Sequence, residues 1–450
     1  MAPQNKKKER NGEHTMNFIR EDANLFDSIG HDLSIVRTDE CEVHHTAPLS
    51  DTTAPLTFNI QGTDTHYIDI SSVELYLRCK ITNLTGGNLA NTVIVAPVTN
   101  FLHSRFSQCS IFLNETQITP PSNNYAARAY IERLLACSKE FNKGQSIAAM
   151  YYKEKDPTST DHTLASSSYK ARFDLTKGSK IFEVCGRPHA DLFSQIKYLP
   201  PGIDVRIVFH HSTSDFCLHA PVNTGGPAAQ EHFIAGIMEA RLHVKKHILL
   251  PSLQIDHIQR WNNNQIASYP MRKVDVKTYT LAVGSMTSIN ETLLSGLLPE
   301  RLVIGLVQTA NYMGTITTNP FTFSDYELSN ISVTYNGDHT DVRIMDVDFR
   351  DGTKRVLRAY QNIYKGLGIA NCDAGLDYTM DDFLKYKTLF VYDFGNVSEV
   401  CTRPNYGNIK IELKFRTALT DALTVVCYTE SQSVLHIDKH KNIFFKDTRA

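Results

Sequence analysis

Three pairs of matching segments recur in the same order, about half a chain apart. They are FSQCSIFLN at 106–114 with LSNISVTYN at 328–336, RAY at 128–130 with RAY at 358–360, and the alternating IDVRIVF at 203–209 with IKIELKF at 409–415. Their offsets are 222, 230 and 206 residues, and the first pair shares Ser107/Ser329, Ser110/Ser332 and Asn114/Asn336. Three matches in one order predict two copies of one β-rich unit, which constrains both fold and function.

A chain of 450 residues is too long for one ordinary core and suits two domains of roughly 200 residues. Val73 to Ile81 alternate apolar and polar side chains with a period of two, which is typical of a strand with one buried face. Helical periodicity is confined to 124–137, its repeat at 354–365, and a short segment at 189–195. We therefore predict an all-β protein of two tandem antiparallel eight-stranded jelly rolls, with a few short helices in the connections.

The predicted domains follow from shifts in composition along the chain. Residues 1–45 are polar and charged and are expected to form a flexible N-terminal arm. The first jelly roll is placed at 46–250, a bridge at 251–268, and the second jelly roll at 269–450. Two long polar segments, 139–180 and 211–230, are expected to form exposed loops.

Charge and cysteine content exclude several classes of protein. The net charge of −2 argues against a surface that binds nucleic acid throughout, and basic residues cluster only at Lys6, Lys7, Lys8 and Arg10. Nine scattered cysteines without a CxxC pair fit reduced thiols better than a disulfide framework. Neither a run of 18 apolar residues nor the apolar core of a secretory signal occurs, so we expect neither a membrane helix nor a cleaved leader.

Motifs for catalysis or metal binding are missing. The sequence lacks a phosphate loop, GxGxxG, HExxH and GxSxG. The pairs His44-His45 and His210-His211 fit a metal site poorly, because neighbouring side chains in a strand point to opposite faces. The aspartates of 341–351 lack the spacing of a calcium loop. A hydrolase triad would require His103 and Ser104 to meet Asp191 or Asp204. We therefore predict no catalytic, cofactor-binding or metal-binding residue.

Several further segments carry a family resemblance. They are NFLHSRFSQCSIFLN at 100–114, YAARAYIERLL at 125–135, GRPHADLF at 186–193, YPMRKV at 269–274 and NPFTF at 319–323. Together, over residues 60–440, they resemble the double-jelly-roll, hexon-like major capsid proteins of Polinton/Maverick elements and adintoviruses. The duplication found above agrees with this resemblance independently.

The resemblance implies a structural capsid protein without enzymatic activity or cofactor. Three chains would form a pseudo-hexameric capsomer, and capsomers would tile an icosahedral shell of the virion. Implied partners are further copies of the chain and penton or minor capsid proteins. The arm residues Lys6, Lys7, Lys8 and Arg10 could contact viral DNA or a membrane. Synthesis would take place in the host cytoplasm and assembly in the nucleus.

Two other functions remain open from the residues alone. A tandem β-sandwich could bind carbohydrates or receptors, although one tryptophan in 450 residues is sparse for stacking on sugars. A jelly-roll enzyme would need converging histidine and carboxylate ligands or a carboxylate pair. Glycan binding by a monomer would favour the first of these functions, and bound metal would favour the second.

Overall fold

The computed structural model describes residues 34–46, 48–49, 54–223, 230–335, 342–350, 354–372, 375–395 and 406–445. The strands of the first half are β1 Ile35–His44, β2 Leu56–Ile60, β3 Tyr67–Asn83, β4 Ala96–Pro97, β5 Phe106–Leu113, β6 Thr116–Gln117, β7 Phe182–Gly186, β8 Val205–His211, β9 Leu218–His219 and β10 Phe233–Leu249. Those of the second half are β11 Ala267–Leu281, β12 Thr287–Leu297, β13 Arg301–Gln308, β14 Leu328–Tyr335, β15 Val342–Asp346, β16 Leu389–Asp393, β17 Tyr406–Phe415, β18 Leu423–Ile437 and β19 Ile443–Phe445.

The helices are short and lie in the connections. They are α1 Phe101–Ser104, α2 Tyr125–Ala136, α3 Lys139–Lys143, α4 Ser168–Thr176, α5 Ser214–Cys217, α6 Pro251–Asn262, α7 Thr309–Met313, α8 Leu357–Gly366 and α9 Met380–Lys385, with 3₁₀ turns at Gln145–Ala149, Lys177–Ser179 and Asp191–Ser194. Within the described ranges, no helix is long and apolar enough to cross a membrane. The helices predicted at 124–137 and 354–365 are confirmed as α2 and α8, whereas 189–195 contains only a 3₁₀ turn.

Each half of the chain forms two antiparallel sheets built on four strands each, and a fifth strand joins one sheet of the second half. The first half has the orders β1-β10-β3-β7 and β2-β8-β5-β6, with the small pair β4-β9 beside them. The second half has β11-β18-β13-β16 and β12-β17-β14-β15, and β19 pairs with β18. If each half's eight sheet strands are counted in chain order, both halves read 1-8-3-6 and 2-7-4-5. The predicted pair of jelly rolls is therefore confirmed; the halves are called the first roll and the second roll below.

The repeated segment occupies the same place in both rolls. β5 lies between β8 and β6, and β14 lies between β17 and β15. Both strands carry a register shift at their second residue, which is Ser107 in β5 and Ser329 in β14. The Ser107 hydroxyl donates to the carbonyls of His210 and His211, each at 3.3 Å, and the Ser329 hydroxyl donates to the carbonyl of Lys414 at 2.8 Å. The identical serines therefore stabilise identical β-bulges.

The third repeat pair needs a correction of two residues. Cys109 of β5 pairs with Phe209, and its counterpart Ile331 of β14 pairs with Leu413. The structural offset between β8 and β17 is therefore 204 (from 209 to 413), whereas the sequence match suggested 206. A shift of two residues leaves every side chain on the same face of the sheet, so alternation alone could not detect it.

Part of the predicted arm belongs to the first roll. Residues 1–45 were expected to be flexible, yet Ile35–His44 form β1 and pair with β10 along the whole strand. β1 is the edge strand of its sheet, and six of its ten residues are exposed. An edge strand with so much solvent contact has a polar composition, which explains why it resembled an arm. Residues 1–33, including Lys6, Lys7, Lys8 and Arg10, lie outside the described residues.

The connections are also more structured than expected. The segment 139–180 contains α3 and α4, and Arg172 within it is fully buried. The segment 211–230 contains α5 and β9, of which Cys217 and Leu218 are buried. The predicted bridge contains the helix α6, which begins with Pro251 and has no buried residue. Proline suits the first turn of a helix, because the N–H that it lacks would have no partner within the helix there.

Candidate functional site: the junction between the two jelly rolls

The first roll covers the outer edge of β11, the edge strand that opens the second roll. Four backbone groups of β11 bond to side chains of the first roll. They are the carbonyl of Ser268 with Lys197 Nζ (2.7 Å), the carbonyl of Pro270 with Gln195 Nε2 (2.8 Å), the N–H of Val274 with Asp191 Oδ1 (3.2 Å), and the carbonyl of Val276 with Asn124 Nδ2 (2.7 Å). All four positions are even-numbered, as expected, because alternate residues of a strand direct their backbone N–H and C=O groups to the same edge. Side chains thus replace the missing neighbouring strand.

An ionic cluster anchors this contact on α2. Arg128 lies between Glu132, one helical turn later at 2.8 Å, and Asp191 at 2.6 Å. A ring nitrogen of His189 lies 2.5 Å from the other oxygen of Glu132, and the hydroxyl of Tyr428 lies 3.5 Å from Glu132. Burial raises the pKa of Glu132, but Arg128 and His189 together outweigh burial and hold this pKa at about 2. The carboxylate is therefore charged at neutral pH and bound on several sides.

A second ionic network joins the 139–180 segment to the second roll. The buried carboxylate of Glu154 binds the guanidinium of Arg172 and accepts a hydrogen bond from Asn319 Nδ2 at 2.9 Å. Lys387 donates to the carbonyl of Glu154 at 3.1 Å and to Asp382 at 2.7 Å. Lys153 extends the network by lying 2.8 Å from Asp382 and 2.7 Å from Asp377. Each of these buried charges has an opposite partner, which is the condition under which burial is tolerated.

Aromatic packing completes the junction. The ring of Tyr130, on α2, stacks on Phe321 of the second roll with centroids 4.5 Å apart and planes inclined by 14°. Phe323 lies 6.2 Å from the same ring, and Phe216 meets Phe321 edge to face at 6.0 Å. One hydrophobic cluster accordingly runs through both rolls. The junction combines an apolar centre with ionic groups on its flanks, and it holds the two rolls as one body.

An open cleft of about 1100 Å³ lies beside the α2 cluster. Its walls come from both rolls and include Arg187 and His189 on one side and Met271 and Arg272 on the other. Arg133, which also lines the cleft, packs its guanidinium over Phe141 and Tyr151, at 5.4 and 5.7 Å from the ring centroids. The cleft marks where the rolls diverge beyond the β11 contact.

The residues considered for a hydrolase triad are each engaged elsewhere. His103 is buried, its Nδ1 lies 3.0 Å from the hydroxyl of Tyr125, and burial holds its pKa well below the ordinary value. The hydroxyl of Ser104 donates to the carbonyl of Asn100 at 3.0 Å. Asp191 binds Arg128, and Asp204 accepts a hydrogen bond from the N–H of Gly62 at 2.7 Å. Three of the four residues thus serve packing or the support of loops, and Asp191 serves the junction.

The remaining histidines considered above are also dispersed. His44 lies 3.7 Å from Glu42, and His45 lies 3.3 Å from the carbonyl of Ala240. His210 and His211 end β8, where they pair with Gln108 and Phe106 of β5. Among the residues that the structure describes, no three His, Cys, Asp or Glu side chains are grouped so that they could hold a metal ion.

The junction residues were not identified from the sequence as functional. The i,i+4 pair Arg128 and Glu132 could have been noticed, because two charges sit on a helix whose other residues are mostly apolar. Glu154, Arg172 and Asn319 offer no such signal, because the bonds that join them cross 18 and 165 residues of sequence.

The ionic clusters predict acid sensitivity. Burial also raises the pKa of Asp382, but Lys387 and Lys153 together outweigh burial. Asp382 and Glu132 therefore both have a pKa of about 2, against ordinary values of 3.8 and 4.5. A depressed pKa stabilises the folded state above the ordinary value, and this stabilisation is lost as pH falls towards 2. We expect the free energy of unfolding, measured by urea denaturation, to fall between pH 5 and pH 2, with Glu132 contributing on the order of 3 kcal/mol.

The variant Glu132→Gln isolates this contribution. It should be less stable than the wild type at pH 6 and should lose less free energy of unfolding on acidification. Identical pH profiles for the two proteins would contradict the role given to Glu132.

Comparisons with known proteins bear on the fold. No protein-family model matches the sequence. The chain is 24% identical over 406 residues to a Caenorhabditis elegans protein named "Uncharacterized protein F54H12.2", covering 86% of this chain and 92% of that protein.

Solved structures resemble the chain over nearly its whole length. A chain of the Sputnik virophage structure has a TM-score of 0.64 at 10% identity, covering 100% of this chain and 94% of that one. The mavirus major capsid protein has a TM-score of 0.56 at 10% identity, covering 99% and 96%. A chain of the PBCV-1 virus capsid has a TM-score of 0.54 at 10% identity, covering 93% and 98%. The protein therefore has the double-jelly-roll fold that these viral capsid proteins share.

Proposed function

We propose that the protein is a structural major capsid protein that forms homotrimers, and that these pseudo-hexameric capsomers tile an icosahedral viral shell. The observation that carries the proposal is the equivalence of the two rolls, which share one strand order and a repeated bulge. The fold of the neighbouring capsid structures supports it.

The contact between the rolls explains how such a chain could close a ring. One side of the first roll, formed by α2 and residues 187–199, meets a different side of the second roll, formed by β11 and β18. A contact between unlike surfaces is heterologous, and repeated heterologous contacts close into rings around an axis. Three chains with two equivalent rolls each provide six similar wedges.

Native mass spectrometry tests the trimer. We expect a complex of about 152 kDa, three times the 50.7 kDa chain, and an interface on the order of 2,000 Å² or more per contact, which resists dilution. A control at raised ionic strength separates a specific complex from loose charge-driven association. A species of 50.7 kDa across the accessible concentration range would contradict the proposal.

We further propose an origin among Polinton/Maverick elements or adintoviruses, for which the matched segments of the sequence and a relative in an animal, Caenorhabditis elegans, are the support. The proposed location is the virion, after synthesis in the host cytoplasm and assembly in the nucleus. Penton or minor capsid proteins are proposed partners, and Lys6, Lys7, Lys8 and Arg10 are proposed to contact viral DNA or a membrane.

A role in sugar binding has less support. The single tryptophan of the chain, Trp261, has the ammonium of Lys441 3.4 Å from its ring centroid. That face of the indole is occupied by a cation, so it is closed to stacking on a sugar.

A further inference from the structure

We infer that α8 of the second roll docks on the edge strand β1 in the first roll of another copy of this chain. The inference rests on the proposed function, since it names the surfaces through which the trimer would close. The docking surface on α8 is called the α8 face and consists of Leu357, Arg358 and Lys365. Its counterpart, called the β1 edge, consists of the exposed residues of β1.

The contact inside the chain provides the template. α2 is the first helix after the fifth strand of the first roll, and it packs beside β11, the first strand of the second roll. α8 is the first helix after the fifth strand of the second roll, and β1 is the first strand of the first roll. By this correspondence, α8 of the second roll matches α2, the helix that packs beside β11. In the same way, β1 of the first roll matches β11.

Two neighbouring positions at the RAY repeat are covered on α2 and exposed on α8, which is the difference expected if α8 lacks a partner roll within the chain. Ala127 on α2 is 4% exposed, whereas Leu357, 230 residues later at the equivalent position of the RAY repeat, is 72% exposed. The side chain of Arg128 is 12% exposed and binds Glu132 and Asp191 of its own roll, and Tyr428 and Val274 of the second roll contact these two carboxylates. Its repeat Arg358 is exposed and forms no ion pair with any residue that the structure describes. The α2 face is covered by the other roll, and the α8 face is not.

The β1 edge is open in the corresponding way. β1 stands at the end of its sheet, and among the residues that the structure describes it has β10 as its single neighbouring strand. β11 has the same position in its own sheet, yet four of its outer backbone groups bond to side chains of the first roll. An uncovered edge strand is a template for pairing with another chain. Val36 on this edge is 60% exposed, which supplies an apolar partner for Leu357.

The charges of the two surfaces are opposite. α8 carries Arg358 and Lys365 and no acidic residue. β1 carries Asp39, Glu40 and Glu42. Asp39 is half-buried and pairs with Arg37 at 2.6 Å, and the exposed Glu42 lies 2.9 Å from Arg241, so Glu40 and the exposed part of Glu42 supply the negative charge of the β1 edge. Complementary charge across an interface orients the approach of the partners and disfavours wrong pairings. A second copy of the chain, which presents both surfaces, therefore fits each of them.

Reversing the charges tests the inference. In one variant Arg358→Glu and Lys365→Glu reverse the α8 face, and in a second Glu40→Lys and Glu42→Lys reverse the β1 edge. Each variant should raise the trimer dissociation constant at least tenfold, measured by mass photometry across a dilution series. A variant with all four substitutions restores opposite charges and should recover most of the affinity. Arg260→Glu with Lys143→Glu, two exposed sites on α6 and α3, is the matched control and should leave the dissociation constant unchanged.

The outcomes separate the two claims. A wild-type trimer that both reversed variants leave unchanged would overturn the docking surfaces while the capsid function stands. Loss of the trimer without recovery in the fourfold variant would also overturn the inference. A wild-type monomer would overturn the proposed function itself. Folding is checked by thermal unfolding, and the neutral variant Arg358→Gln with Lys365→Gln, expected to have an intermediate effect, replaces the reversed variant if that one unfolds early.

Discussion

Replacing Glu154 with glutamine is expected to lower the free energy of unfolding by about 3 kcal/mol. Glutamine keeps the volume of the side chain and can still accept the hydrogen bond from Asn319, so the substitution removes only the charge. Arg172, whose side chain is 0% exposed, would then hold a buried positive charge without its carboxylate. Leaving one member of a buried ion pair uncompensated costs several times more than breaking a pair at the surface.

Asp174→Asn provides the matched control for Glu154→Gln. Asp174 lies on α4, the helix that carries Arg172, and its 41% exposed carboxylate pairs with Lys170 at 2.9 Å and Lys177 at 3.2 Å. Because water screens these pairs, the loss should stay below about 1 kcal/mol. Urea denaturation of both variants measures the difference. Equal losses would show that burial does not govern the strength of the Glu154–Arg172 pair.

Replacing Phe321 with alanine should cost about 3–5 kcal/mol of unfolding free energy, because it opens a cavity in the centre of the junction. The ring is 2% exposed and stacks on Tyr130 of the other roll at 4.5 Å. The substitution therefore removes packing within the second roll and between the rolls at once. Denaturant unfolding followed by tyrosine fluorescence measures the loss.

Phe141→Ala is the control for Phe321→Ala, because it makes the same substitution at a partly exposed position. Phe141 is 36% exposed and contacts the guanidinium of Arg133 at the rim of the cleft, so its removal should cost about 1 kcal/mol or less. If the two phenylalanine variants unfold at the same denaturant concentration, the aromatic contact with Tyr130 does not hold the rolls together.

Much of the fold could be predicted from the sequence because a strand with one buried face alternates apolar and polar residues. Val73, Leu75, Leu77, Cys79 and Ile81 are all at most 1% exposed, as their alternation indicated. The repeat segments predicted the equivalence of the rolls because the bulge in each roll uses a serine. The serine hydroxyl bonds to backbone carbonyls, which an apolar side chain of similar size could not do.

The parts that escaped prediction depend on tertiary contacts. β1 has polar residues because its edge and one face meet solvent, so its composition resembled that of an arm. α6 lies on the surface without a buried residue, so it lacks a full apolar face. The junction is set by pairs such as Glu154 with Asn319 and Asn124 with the carbonyl of Val276, which lie more than 150 residues apart in sequence. Local patterns carry no information on such pairs.

Negative-stain electron microscopy of the purified 450-residue protein tests the proposed trimer directly, because it counts the rolls in each particle. We expect class averages of six similar lobes around an axis, two from each of three chains. Particles of only two lobes at every concentration tried would contradict it.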